Sequence, residues 1–509
     1  MSENSVVLEK ESRSWVLVFL VALPSLLALL FVPVTWNYYD SVNYLIWEPL
    51  NVLPGWPPLY PAFVQFLHNF ATYGFEIFWN APAKRTPFTD AGIYTAIAAQ
   101  HLLYCASLLY LVQAASTNPR RQIVAVLLVS SSFALIPYVH GFYSEGLSIP
   151  PALFQLGALM YICRGKGGAS HYSIYTVAFT LNVFVRSANV LFAAVGPLTL
   201  FFIVLFRFRE MWRSLLIIVL LTVISLVFSS ITLCWLTVNY GQGKDSTIGR
   251  TATYRLSDIW EHSSEKQRRK IVRRLSAYLE SPALKEALYL TFSTPGPWWG
   301  PYNEVEKLVQ QTPELQSKWN ADEILNHIWF LYLRHPDRAL YDSFMRTFRH
   351  HRDAKFGNAL ESCLVSSQDS IKLYTSSSYD FHYLFENLKV TDLSSLVLYQ
   401  RLSERTSRGW HVLSTLTVTF VILIIAGLLY LCGEILLEQA ALLLSCTIVA
   451  WTSLALLSLL TGPVMRYGVI SAILLLTGIV ILCGAGKFRL SDVSLQIGTT
   501  QKKDASPGI

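Results

Sequence analysis

The chain has 509 residues, of which 53% are hydrophobic and 14% charged, and its mean hydropathy is +0.40. So much apolar sequence with so little charge excludes an ordinary soluble protein and implies a polytopic membrane protein. The formal net charge of +7 then reports which loops stay in the cytoplasm, and no nucleic-acid partner is expected.

Residues 1–13 are polar, and the apolar run Trp15 to Thr35 follows Lys10 and Arg13. It has the roughly 20 residues that a spanning helix needs. The run is long for a signal-peptide core and no small-x-small cleavage site follows, so it reads as a first transmembrane helix with the N-terminus inside. The first outer loop occupies 36–90, and within it Leu59 to Phe78 is aromatic and amphipathic enough to lie along the interface. Further spans are expected at about 91–115, 123–139, 146–163, 170–185, 188–206 and 214–238. The inner connections carry Arg120 and Arg121, then Arg164 and Lys166, then Arg207, Arg209 and Arg213. This positive-inside pattern sets the orientation.

Between 240 and 408 the composition becomes that of a soluble domain, with helical stretches at Ser264 to Leu279 and Asp322 to Arg349 separated by Pro- and Gly-rich turns such as Pro295 to Pro301. Seven preceding spans put it outside the cytoplasm. Apolar runs return at about 410–432, 438–461 and 468–485, before Lys487, Arg489 and a polar tail. The expected fold class is an all-α polytopic membrane protein of about ten transmembrane helices with a mainly helical extracytoplasmic domain. Its parts are an N-terminal transmembrane catalytic module (1–239), the extracytoplasmic domain (240–408), C-terminal transmembrane helices (409–486) and a cytoplasmic tail (487–509). The connection Gly433 to Glu438 lacks positive charge, against the pattern. Of seven cysteines, only Cys363 falls in the large polar region, so that domain holds no internal disulfide. No zinc-ligand spacing occurs, and the absence of any N-x-S/T sequon fits a bacterial inner membrane.

Trp36 to Pro61 carries two acids, Asp40 and Glu48, among seven aromatic rings. Asp40 stands one turn past a helix end, before a segment that Pro54, Pro57, Pro58 and Pro61 keep from becoming a long helix. That position suits a general base, and an interfacial aromatic belt with a Pro-rich turn is the alternative. Glu145 lies in P-Y-V-H-G-F-Y-S-E-G, where the alternative is an acid in the first turn of a helix capped by Ser144. His140 in the same segment is a proton-transfer candidate or an interfacial ring. Arg186 interrupts the apolar stretch Ser170 to Phe206 near its midpoint, where the chain must turn if each half spans. Its planar fork suits a phosphate, with snorkelling to headgroups as the alternative, and Arg466 in G-P-V-M-R-Y-G reads the same way. Tyr44, Tyr60 and Tyr467 join His140 as candidate substrate contacts.

In order and placement, D-S-V-N-Y, G-W-P-P-L-Y-P, Y-S-E-G, F-V-R-S-A-N and the late M-R-Y resemble the GT-C class of membrane glycosyltransferases, in particular the bacterial relatives of the protein mannosyltransferases and the aminoarabinose transferase. Leu333 to Phe344, L-R-H-P-D-R-A-L-Y-D-S-F, is similar to a segment before the late spans of such enzymes. The resemblance covers spans one to seven best and rests on the order of short motifs. It implies transfer of a sugar from a polyprenyl-phosphate-linked donor to a glycan, lipid or protein acceptor. Asp40 is then the base, Glu145 a second active-site acid, and Arg186 and Arg466 the phosphate contacts. Many members carry a second acid close to the first, whereas here Ser41 follows Asp40, so a divalent metal is neither required nor excluded. Two other readings stay open: a multi-span transporter, and an O-antigen polymerase or ligase in which the arginines of 266–274 replace Asp40 as the critical feature.

Overall fold

A computed structural model describes residues 3–32, 34–36, 41, 44–45, 57–74, 87–132, 134–206, 208–240, 414–433, 435–460 and 468–485, with isolated positions between 265 and 388. Asp40, Glu48, Arg466, Tyr467, Cys363, nearly all of the expected extracytoplasmic domain and the 487–509 tail lie outside the described residues.

The described elements are helical: α1 (Glu3–Phe31), α2 (Leu59–Tyr73), α3 (Asp90–Ala115), α4 (Pro119–Ser131), α5 (Ile136–Val139), α6 (Ser144–Cys163), α7 (Ala169–Val185), a 3-10 helix (Ser187–Ala194) leading into α8 (Val195–Phe206), α9 (Phe208–Tyr240), α10 (Thr415–Leu431), α11 (Leu437–Leu460) and α12 (Gly468–Gly484). Five stretches among the described residues are long and apolar enough to cross a membrane: Asp90–Ala115, Ser144–Cys163, Ser187–Phe206, Met211–Leu236 and Leu437–Leu456. Trp15–Phe31, Thr415–Leu431 and Val469–Gly484 are shorter apolar helices. Such helices make an integral membrane protein.

Local signals set several boundaries. The Thr89 side chain accepts from the Gly92 amide at 3.1 Å and caps α3, with Asp90 in the first turn. Asn118 accepts from the Arg120 amide, and Pro119 occupies the first position of α4. Gly74, at φ 61°, ends α2 in a conformation that a side chain disfavours.

The expected span at 123–139 is divided. Helix α4 stops after 13 residues, about 20 Å of rise against a hydrocarbon core of about 30 Å. The Ser132 hydroxyl takes the Val129 carbonyl, and the chain restarts with Pro137 in the first turn of α5.

Helix α6 is the centre of the bundle, packed on α3 and α7, while α9 lies at the edge against α7 and α8. The spanning window of α6 is 83% buried and that of α9 only 22%. Accordingly α9 turns Leu216, Leu220, Val223, Val227 and Ile231 outward, as a lipid-facing surface would. At one end of the bundle Arg164 donates to the carbonyls of Ala114 (2.5 Å) and Ala115 (2.7 Å), satisfying the C-terminus of α3. Burial lowers the Arg164 pKa, and nearby Glu438 opposes the shift. The acid that stands against the positive-inside pattern thus has a cation beside it. The C-termini of α1, α5 and α7 and the N-termini of α3 and α6 gather at the other end.

Candidate active site

At that second end the segment after α1 runs alongside the segment between α5 and α6. Thr35 and Gly141 form a parallel bridge, and the Phe142 amide donates to the Thr35 carbonyl at 2.9 Å. The Trp36 and Phe142 rings stack at 5.1 Å, the Tyr143 hydroxyl donates to the Trp36 carbonyl at 3.1 Å, and the Ser41 hydroxyl donates to the Phe142 carbonyl at 2.7 Å. The residue that follows Asp40 is therefore fixed against the Y-S-E-G segment.

Helix α6 starts one residue earlier than a cap at Ser144 would place it. Tyr143 holds the N-cap position without a side-chain capping bond, and Ser144 is the first helical residue. Freed from capping, the Ser144 hydroxyl donates to Glu145 Oε2 at 3.3 Å and receives the Tyr44 hydroxyl at 3.5 Å. Gly146 follows because a Cβ there would come within 2.4 Å of the Tyr138 carbonyl oxygen. That close approach brings the first turn of α6 against α5.

Glu145 reaches Arg186: Oε1 and Nη1 lie 2.9 Å apart, with the side chains 2% and 9% exposed. The contact is a charge pair at close range without the alignment of a hydrogen bond. Arg186 stands where α7 ends and the 3-10 helix begins, in extended backbone at φ −157° and ψ 125°. The expected break in the apolar stretch is therefore at Arg186 itself, and the guanidinium points back into the protein.

Tyr44 and Tyr60 meet edge to face, ring centroids 4.7 Å apart, and Gln65 of α2 donates to the Tyr44 carbonyl at 2.8 Å. The Tyr60 hydroxyl is fully buried and finds no partner among the described residues. Burial, and then the negative influence of Tyr44 and Glu145, push its pKa well above the ordinary value, so Tyr60 keeps its proton as a donor. These side chains sit in a second apolar cluster with Trp36, Phe142 and Val185, and Leu388 packs into it from the long segment between α9 and α10.

His140 belongs to a buried pair. Its Nε2 donates to the Val32 carbonyl at 2.9 Å, which fixes that tautomer and leaves Nδ1 to accept from His101 Nε2 at 3.0 Å. Gln100, beside His101, donates to the carbonyls of Val139 and Gly141, both at 3.2 Å. This pair is a structural latch joining α1, α3 and α5, so the interfacial-ring reading of His140 does not hold. Burial lowers its pKa from 6.5 to about 4. A folded pKa below the unfolded value gives stability that is complete above pH 6.5 and lost as the pH falls towards 4. The melting temperature in detergent should therefore drop across that window, by the equivalent of up to about 3 kcal/mol, and His140→Gln should flatten the slope.

Sequence reading missed Tyr44 to Ser144 as a link, the His101 partner, the Glu145 to Arg186 contact and an amide pair, Asn182 with Asn189, behind Arg186. Among the described residues no three His, Cys, Asp or Glu side chains gather as a metal site. A scan of protein-family models, a search of curated proteins and a search of solved structures each find no match to this chain.

Proposed function

We propose that this protein transfers a sugar from a polyprenyl-phosphate-linked donor to an acceptor at the outer face of a membrane, as a GT-C type glycosyltransferase with about ten spans and both ends in the cytoplasm. The observation that carries this reading is convergence. The first outer loop, the Y-S-E-G segment and the F-V-R-S-A-N segment, chosen by their order in the chain, meet at one end of the bundle around Tyr44, Glu145 and Arg186. Leu388 packs at the same end, as a 240–408 domain above the site would require.

In the proposed reaction Asp40 takes the proton of the acceptor hydroxyl, whose oxygen attacks the anomeric carbon in line. The bond from that carbon to the phosphate oxygen breaks, the configuration inverts and the lipid phosphate leaves with its charge met by Arg186 and Arg466. Glu145 balances the buried guanidinium and orients it, and Tyr60 offers a proton donor beside it. The lipid tail lies in a groove between spans, and the acceptor enters from the aqueous side.

The transporter reading is disfavoured because Glu145 and Arg186 gather at a helix end rather than at mid-depth, where transporter sites usually lie. In the polymerase reading the 266–274 arginines act in place of Asp40. Among them Arg269 pairs with Glu265 on an exposed helix face. Replacing Asp40 and, separately, those arginines distinguishes the two.

Arg186→Ala and Arg466→Ala should each weaken donor binding by about 2–4 kcal/mol, with Lys rescuing only in part. Unchanged affinity in both Ala variants would make these arginines headgroup anchors. For the topology, Gln368→Cys in a chain stripped of native cysteines should react with a membrane-impermeant maleimide in intact cells. Labelling only after the membrane is opened would overturn the ten-span arrangement.

A further inference from the structure

We propose that Asn189, acting with Asn182, is a positioning residue that sets the aim of Arg186 on the donor phosphate. This inference rests on the proposed transfer from a lipid phosphate. A break between two apolar helices strips backbone groups of their partners where no water can replace them. Here the Asn182 carbonyl takes the Arg186 amide at 3.1 Å, the last helical bond of α7, and the Asn189 amide takes the Arg186 carbonyl at 3.0 Å. Across the break, Asn189 Nδ2 donates to the Asn182 carbonyl at 3.1 Å and to Asn182 Oδ1 at 2.7 Å. Both amides are fully buried. Arg186 is thus enclosed in a loop fastened on both sides, in extended backbone that turns its side chain from lipid onto Glu145.

The remaining polar atoms of the pair, Asn182 Nδ2 and Asn189 Oδ1, have no hydrogen-bond partner among the described residues. All the bonding that these two side chains make among the described residues is spent on the break. Two amides in an apolar bundle cost free energy even when half satisfied, and an apolar pair would let the stretch run on as one helix. What the amides supply is a fixed direction for the residue between them. Glu145 holds this guanidinium at ion-pair distance, so the clamp and the acid together set where a phosphate meets it.

The test is equilibrium binding of a radiolabelled polyprenyl monophosphate to the full-length protein in lipid nanodiscs, with melting temperature measured in parallel and polyprenol as the phosphate-free control. Asn189→Ala should weaken phosphate binding about tenfold and leave polyprenol binding unchanged. Asn182→Ala keeps its backbone carbonyl and should lose about threefold. In an Arg186→Ala background, Asn189→Ala should change affinity less than twofold, because its effect passes through the arginine. Wild-type affinity in Asn189→Ala, or an equal further loss in the Arg186→Ala background, overturns the assignment. If neither asparagine variant accumulates as folded protein, the pair is a folding element and the assignment also fails. A wild-type chain that binds the monophosphate no better than polyprenol instead removes the glycosyl-transfer reading, and this inference with it.

Discussion

Asp40→Asn should lower turnover by about 10²- to 10⁴-fold while leaving donor binding intact, because asparagine keeps the size of the side chain and cannot accept the acceptor's proton. The loss belongs in kcat at saturating donor, measured in membranes with matched protein levels. Glu48→Gln is the control, eight residues on and just before Pro49, and should matter much less. Thr35 and Trp36 before Asp40 in the chain and Ser41 after it are tied to the segment between α5 and α6, Thr35 by a bridge to Gly141 and Ser41 by its hydroxyl on the Phe142 carbonyl. Equal activity in Asp40→Asn would pass the lead to the polymerase and transporter readings.

Glu145→Ala should cost about 3–5 kcal/mol of stability, because it leaves the Arg186 guanidinium buried beside an apolar cluster without its counter-charge. Thermal melting of the purified protein would show this, and activity should be lost even below the melting transition, since the arginine is no longer held in place. Glu145→Gln keeps the shape and a hydrogen-bond acceptor and should fall between Ala and wild type. The double variant Glu145→Gln with Arg186→Gln should be more stable than the sum of the single changes implies, the signature of a coupled pair. Additive losses would show that the two charges are stabilised by other neighbours.

Hydropathy made most of the bundle legible: every expected span except 123–139 overlaps one helix over most of its length, and the boundaries of α3, α6 and α7 lie within two residues of those read from the sequence. Composition finds apolar runs, and a run that is too short or is broken internally looks the same as one that spans. The 123–139 segment therefore reads as one span, whereas Ser132 and Pro137 divide it. The same limit applies to capping, where Ser144 fits the pattern but the helix starts one residue early, takes Ser144 in and turns its hydroxyl to Glu145. The site was legible as isolated charges in apolar sequence, since Arg186 and Glu145 each cost too much to bury without a reason. That they pair with each other was not legible, because nothing local links two residues on different helices. His101 and His140, 39 residues apart, show the same thing. Asn182 and Asn189 were hidden differently: their spacing of seven suggests one face of a continuous helix, and they meet only because the helix stops between them.

The central claim is transfer from a lipid-linked phosphate donor, and the most direct measurement follows the lipid product. Membrane vesicles with and without the protein would be given polyprenyl-phosphate sugars labelled separately in sugar and lipid. The expected result is release of free polyprenyl monophosphate in step with sugar appearing on an acceptor, dependent on the protein and abolished by Asp40→Asn. Movement of intact labelled lipid or sugar across the membrane with the sugar-phosphate bond unbroken, or no difference between vesicles with and without the protein, would contradict it.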